Sequence, residues 1–176
     1  MTYTIFICHS YLHADIYEEL RTLLRSAGYF SYQNVSIPDD MLVDAKDDAE
    51  LGKEIEKRIG RCDVVLALTK PVANRRYWIV REIECAQLLG KPIIAITRRK
   101  TDNRSKFVID AADVHIDTWR AADITKAIRQ CAHEKKETEP RPLARDTDPT
   151  DSPPLSGRSA SGSPPWWQRL LLGFWG

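Results

Sequence analysis

The chain has 176 residues, which suits about one domain with its own core. Hydrophobic residues make up 43%, an ordinary share for a folded globular protein. The 26 lysines and arginines nearly balance the 25 aspartates and glutamates, so the charge argues against nucleic acid or an anionic membrane as the main partner.

The first third of the chain alternates continuous apolar runs with amphipathic helical patterns. A continuous run such as 4–8 is typical of a strand buried on both faces. Gly28 follows the first helical pattern and is predicted to end it. The predicted elements are a strand at 4–8, a helix at 13–27, a strand at 29–35 and a helix at 49–59.

The same alternation continues to residue 136. Gly90, with Pro92 beyond it, is predicted to end the third helix. A short turn is expected between the fourth and fifth strands. The predicted elements are a strand at 63–68, a helix at 77–89, a strand at 92–96, a strand at 113–116 and a helix at 121–136.

This order predicts an α/β fold with parallel strands joined by right-handed crossovers. Five such strands suggest a flavodoxin-like sheet, in the order 2-1-3-4-5, flanked by helices. Ligands of these sheets bind beyond the carboxyl ends of the strands. The loops at 9–13, 36–48 and 69–77 are therefore the candidate site.

These loops argue against several common sites. The turn after the first strand, at 8–13, has no glycine to bring backbone N–H groups close to a phosphate. The third strand ends in Leu68-Thr69-Lys70, without the aspartate of a phospho-receiver domain. A dinucleotide fingerprint, a P-loop and a receiver site are all poorly supported.

A tryptophan and a glutamate near the start of the third helix give a more specific pattern. Trp78 and Glu82 are four residues apart and share one stripe of the helix. Ile79, Ile83 and Ala86 form the neighbouring stripe, which is predicted to pack on the sheet. Spacing alone leaves two interpretations open: a catalytic carboxylate shielded by an indole, or a surface glutamate favoured by the helix dipole.

Four cysteines lie in apolar stretches without a CxxC pair or a zinc-ligand cluster. They are predicted to be buried, reduced thiols, and no metal site is expected. The first ten residues, MTYTIFICHS, lack the basic leader and long apolar run of a signal peptide. A cytoplasmic location is expected.

The composition changes near residue 137, and we expect an α/β domain at 1–136. Residues 137–165 are rich in proline, serine and charge, and are predicted to be a disordered linker. Residues 166–176 are apolar and contain three tryptophans. This end is too short to span a bilayer, and is predicted to dock on a protein or a membrane surface.

Four motifs in register resemble those of bacterial TIR-like domains, in particular the ThsB-type proteins of Thoeris anti-phage systems. They are FICHS at 6–10, NVSIPDD at 34–40, WIVREIECA at 78–86 and KPIIAI at 91–96. The resemblance covers residues 3–133. It implies a signalling enzyme that takes NAD as its substrate, with no separate cofactor, and cleaves the bond between nicotinamide and ribose.

The resemblance also implies a product, a partner and a catalytic residue. ThsB-type proteins make cyclic ADP-ribose isomers that switch on an effector, and TIR domains self-associate when activated. The glutamate four residues after the tryptophan is Glu82, which the resemblance makes catalytic. Glu84, two residues further, is the weaker candidate. A carboxylate there would stabilise the positive charge that develops on the ribose.

The substrate-binding residues that follow from the resemblance and the sheet edge lie in three loops and one helix. His9 and Ser10 end the first strand and are predicted to contact ribose or phosphate. An equally supported alternative is that Ser10 caps the following helix and His9 is a solvated loop histidine. The loop at 36–48 corresponds to the loop that TIR domains use for pocket closure and self-association. The predicted set is His9, Ser10, Ser36, Asp39, Thr69 and Trp78.

Two other functions remain open at this point. One is a non-catalytic TIR-like adaptor that acts by self-association through the loop at 36–48. The other is an enzyme like the nucleoside deoxyribosyltransferases, which use a related carboxylate on a related sheet.

Overall fold

A computed structural model of the chain describes residues 1–9, 14–38, 48–70, 76–100 and 103–138. The strands are β1 Thr2–Cys8, β2 Ser31–Asn34, β3 Val64–Leu68, β4 Ile93–Ile96 and β5 Val114–Ile116. The helices are α1 Ala14–Ser26, α2 Asp48–Arg61, α3 Arg76–Leu88, α4 Lys106–Ala111 and α5 Ala121–Thr138.

The five strands form one sheet in the order β2-β1-β3-β4-β5, and every pair is parallel. This confirms the predicted α/β, flavodoxin-like fold and its strand order. Strand β3 is the central strand, and its residue Ala67 is the register partner of Cys8 on β1. Ala67 is in turn the partner of Ala95 on β4.

Helices cover both faces of the sheet. On one face Ile5 and Ile7 of β1 share a buried cluster with Leu20 of α1 and Ile128 of α5. Because side chains alternate along a strand, Phe6 and Cys8 point to the opposite face. That face meets α2 and α3, both of which contact β1.

The connection between β4 and β5 differs from the expected short turn. It contains the helix α4, which Ser105 caps by accepting a hydrogen bond from the N–H of Val108. At six residues α4 is shorter than two turns, so no helical repeat could be recognised in the sequence.

The end of α1 also differs from the expectation for Gly28. The helix ends at Ser26, and the left-handed backbone conformation falls on Tyr29, with φ of 63°. The N–H of Phe30 closes this turn by donating to the carbonyl of Ala27. At the end of α3, in contrast, Gly90 adopts the left-handed conformation with φ of 58°, as predicted.

All four cysteines are buried and none forms a disulfide, which confirms the predicted thiols. Within the described ranges, no helix is long and apolar enough to cross a membrane. Ser10, Asp39 and residues 139–176 lie outside the described residues, so the predictions for them, including the linker and the tryptophan-rich end, stay predictions.

Candidate functional site

The side chain of Glu82 is buried between α3 and the sheet. The predicted stripe of α3 is part of the core, with Ile83 and Ala86 fully buried and Ile79 nearly so. Glu82 is itself only 4% exposed. It therefore lies deeper than a residue at the border of the buried face, which is where helical spacing alone would place it.

Small side chains line the part of the sheet beneath Glu82. Cys8, Ala67 and Ala95 are register partners on three neighbouring strands, so they form a row across one face. All three are at most 1% exposed. A row of such short side chains leaves room for a glutamate of the covering helix to reach the sheet.

The Glu82 carboxyl has one polar neighbour in that row and one unpaired oxygen. The thiol of Cys8 lies close enough to the Glu82 side chain to favour its ionised form. The oxygen Oε2 is buried and has no hydrogen-bond partner in the described part of the chain. A buried acceptor without a partner is costly, and a catalytic role is one of the recognised reasons for keeping it.

Burial raises the pKa of Glu82 to about 8, while the neighbouring Cys8 thiol acts in the opposite direction. Burial, followed by the charge of Glu82, holds the pKa of the Cys8 thiol well above its usual range. The thiol thus stays protonated and remains a donor at neutral pH. A carboxyl whose pKa is shifted this far by desolvation is a candidate functional group.

An arginine next to Glu82 on α3 lies between that helix and α2. Arg81 is 9% exposed, and it donates a hydrogen bond to the hydroxyl of Tyr77. Its guanidinium lies 5.3 Å from the ring centre of Tyr77 and 5.9 Å from that of Trp78. A Cβ at Gly52 of α2 would lie 3.7 Å from Arg81 Nη2, so the arginine packs over that glycine.

Trp78 is half-buried, and its described ring contacts are with Tyr77 and Arg81. The indole is thus held at the start of α3 by an aromatic and a cationic neighbour. The sequence reasoning missed Arg81; the spacing of Tyr77 and Arg81, four residues apart on one helix, could have indicated their contact.

The predicted residues on the α1 side form a separate polar network. His9 is buried, and its ring stacks on that of Tyr17 with centres 3.8 Å apart. Its Nδ1 lies 3.1 Å from the carbonyl oxygen of Ile7. The hydroxyl of Tyr17 accepts a hydrogen bond from Asn34 Nδ2 at 2.8 Å. Sequence reasoning assigned no role to Tyr17 or Asn34.

Ser36 joins this network to the end of β1. Its hydroxyl accepts a hydrogen bond from the N–H of Ile7 at 2.7 Å and donates one to Asn34 Oδ1 at 2.6 Å. Arg58 of α2 donates to the carbonyl of Ser36 at 2.8 Å. The described bonds use the single O–H donor of Ser36, so this residue fixes the chain where the loop at 36–48 begins.

Thr69 follows β3 and is almost fully buried. Its hydroxyl donates to that of Thr97 at 3.0 Å, and its carbonyl accepts from the N–H of Ser105 at 2.7 Å. It joins the carboxyl ends of β3 and β4 to the start of α4. The structure therefore brings Glu82 together with Cys8, and places His9 with Ser36 and Thr69 with Thr97.

Comparison with solved structures finds low sequence identity over most of this chain. The Clostridium botulinum CMP N-glycosidase BcmB is 16% identical, with a TM-score of 0.42, over 72% of this chain and 98% of that one. The Paracoccus denitrificans flavoenzyme FerB is also 16% identical, with a TM-score of 0.42, over 77% and 97%. A prokaryotic SEFIR domain is 15% identical, with a TM-score of 0.40, over 74% and 96%.

No curated protein matches this chain. A family model does: that of the TIR-like domain of the Thoeris protein ThsB matches residues 6–103. The matched region runs from β1 to the segment before α4, and it includes Cys8, Ser36 and Glu82. The chain therefore belongs to the ThsB TIR-like family, as its sequence motifs predicted, and is a TIR-like protein of defence and signalling.

Proposed function

We propose that this TIR-like protein consumes NAD, with Glu82 as the catalytic residue. The observation that carries the proposal is the buried Glu82 carboxyl, whose oxygen Oε2 has no hydrogen-bond partner among the described residues. It lies near the carboxyl end of β1, at the sheet edge where ligands of this fold bind.

The bond between C1′ of the ribose and N1 of nicotinamide breaks with its electron pair leaving on the nicotinamide. The pyridinium of NAD leaves as neutral nicotinamide, so no general acid is required. The positive charge that grows on the ribose is what the site must stabilise. An ionised carboxylate does this in glycosidases, either electrostatically or as a nucleophile.

Substrate binding changes the protonation state of Glu82, on which the proposed catalysis depends. With a pKa of about 8, the carboxyl is mostly protonated at neutral pH. A cationic nicotinamide riboside beside it favours the ionised form, because an opposite charge nearby lowers the pKa of a carboxyl. The substrate itself thus promotes the ionisation that the reaction requires.

The proposal extends to the product and to the partners that the resemblance implies. A nucleophile within the cleaved molecule gives a cyclic ADP-ribose-type signal for a downstream effector, whereas water gives ADP-ribose. Self-association on activation and action in the cytoplasm, where NAD is available, belong to the same proposal. His9, Ser36, Thr69 and Trp78 are proposed to shape or support the binding site.

Incubation with NAD and chromatography of the products test this function. The assay is run on purified protein and on extracts of expressing cells under phage challenge. We expect Glu82→Gln to lower NAD cleavage at least 100-fold, a typical loss for a transition-state stabilising group. The matched change Glu84→Gln, on the same helix, should retain activity.

Two results would contradict the proposal in different ways. NAD cleavage that survives Glu82→Gln unchanged would reject the catalytic assignment. The absence of NAD loss in both preparations, together with concentration-dependent assembly of the wild-type protein, would favour the adaptor function instead.

A further inference from the structure

The polar side chain that neighbours the Glu82 carboxyl comes from the end of β1. Cys8 is the last residue of that strand and is 1% exposed. Its backbone pairs with Ala67 of β3, the central strand of the sheet. The backbone of Cys8 is therefore held by the sheet, and its side chain is enclosed in the core.

Within the row beneath Glu82, Cys8 supplies the only polar atom. The other two members, Ala67 and Ala95, present methyl groups. This thiol is close enough to favour the ionised form of the carboxyl, whose oxygen Oε2 has no hydrogen-bond partner in the described part of the chain. The carboxyl thus has a polar neighbour on the side of the sheet and an oxygen with unused hydrogen-bonding capacity.

We propose that Cys8 is a positioning residue that holds the Glu82 carboxylate by an S–H···O hydrogen bond, leaving Oε2 to face the substrate. As a catalytic role for Glu82 is itself the proposed function, this inference deepens that proposal. The thiol makes no contact with the reacting atoms. Its action is to favour the ionised, oriented carboxylate against the burial that opposes ionisation.

Cysteine is suited to this position for two physical reasons. Burial and the neighbouring carboxylate keep the thiol protonated, so the donor is not lost at neutral pH. A thiol is also a weaker donor than a hydroxyl, so the carboxyl keeps a pKa near the working pH instead of being fully ionised before substrate arrives. Serine at position 8 should therefore lower the pKa of Glu82 further, and alanine there should remove the lowering.

Infrared titration tests the proposal without relying on NAD cleavage. The carbonyl band of the protonated Glu82 carboxyl, assigned by its loss in Glu82→Gln, is followed against pH. We expect Cys8→Ala to move this titration to higher pH by about 0.5 to 1 unit, the value of a modest hydrogen bond. Cys8→Ser should move it to lower pH by about half a unit.

Cys131→Ala is the matched control, since Cys131 is a buried thiol on α5, in the cluster on the opposite face. It should leave the Glu82 titration unchanged. A titration that is the same in wild type, Cys8→Ser and Cys8→Ala would overturn the positioning role. Cys8→Ser gives a decisive result even if the alanine variant does not fold.

The pH profile of NAD cleavage provides a second readout. On the acid limb, Cys8→Ala should reduce kcat/KM by about three- to tenfold, in step with the infrared shift, and Cys8→Ser should restore it. An infrared shift in a protein that cleaves no NAD would support the Cys8–Glu82 interaction and reject the proposed function. An unshifted titration in an enzyme that does cleave NAD would reject only the role of Cys8.

Discussion

At the scale of single residues, burial determines the chemistry of Glu82 more than its position on the helix does. The carboxyl lies against the short side chains of Cys8, Ala67 and Ala95 and is shielded from water. Its ionised form is therefore disfavoured, and the pKa rises from 4.5 to about 8.

The raised pKa makes the stability of the protein depend on pH. Below pH 4.5 the Glu82 carboxyl is neutral in both the folded and the unfolded chain, and it imposes no penalty. As the pH rises toward 8, the unfolded chain ionises while the folded one keeps its proton, so the free energy of unfolding falls. Above the folded-state pKa the loss is complete.

We therefore expect Glu82→Gln to stabilise the protein increasingly as the pH rises. Relative to wild type, its free energy of unfolding should increase by about 4 kcal/mol between pH 4.5 and pH 8. Urea unfolding at several pH values measures this difference. Glu84→Gln leaves the buried carboxyl in place and should keep the wild-type slope; a difference between Glu82→Gln and wild type that is independent of pH would contradict the prediction.

At the scale of elements, the turns that follow α1 and α3 place different residues in the left-handed conformation. Each helix is followed by one residue in the left-handed conformation, Tyr29 after α1 and Gly90 after α3. The left-handed backbone costs a residue with a Cβ roughly 1 to 2 kcal/mol, whereas glycine adopts it readily. The side chain of Tyr29 is fully exposed and offers no packing to offset this cost.

Tyr29→Asn should accordingly raise the free energy of unfolding by about 1 kcal/mol, because asparagine tolerates the left-handed region. Gly90→Ala should lower it by about 1 kcal/mol, because alanine at that position is strained. Thermal and urea unfolding of both variants measure the two effects. A destabilised Tyr29→Asn would show that the tyrosine side chain has an undetected role.

Local patterns predicted nearly all of these elements and the sheet order, because long runs of alternating strand and helix periodicity leave few possible topologies. They failed for α4, whose six residues are too few for a helical repeat. They also failed at Tyr29, since the sequence offered Gly28 as the obvious residue for the turn. Boundaries and single backbone conformations depend on packing that the sequence pattern does not record.

The candidate site also depends on packing that the sequence pattern does not record. Glu82 could be selected from its spacing to Trp78 together with the family motifs. Its contact with Cys8 could not, because the two residues are far apart along the chain and meet only through the register of β1 and the packing of α3. Cys8, predicted from the sequence to be a buried, reduced thiol, has a neighbour that only the fold reveals.

At the scale of the whole molecule, the four cysteines are distributed through the core. Cys8, Cys62 and Cys85 lie in one region of the core, and Cys131 lies on α5 in the other layer. All four are buried thiols, and none forms a disulfide. Their reactivity therefore reports on the opening of the domain instead of on its surface.

A thiol-specific chromogenic reagent should thus label the native protein no faster than it unfolds, and label four thiols once it is denatured. The rate should rise in parallel with the unfolding rate as denaturant is added. Rapid labelling of one thiol in the native protein would contradict the described burial, and peptide mapping would identify which cysteine it is.

At the end of β1, consecutive side chains face opposite layers of the domain. Cys8 points toward α3 and Glu82, whereas the next residue, His9, stacks on Tyr17 of α1. The Glu82 carboxyl and the network of Tyr17, Asn34 and Ser36 therefore lie beside consecutive residues at the end of β1. No side-chain contact between the two is described. A single strand end therefore supports two different polar environments, one in each layer of the domain.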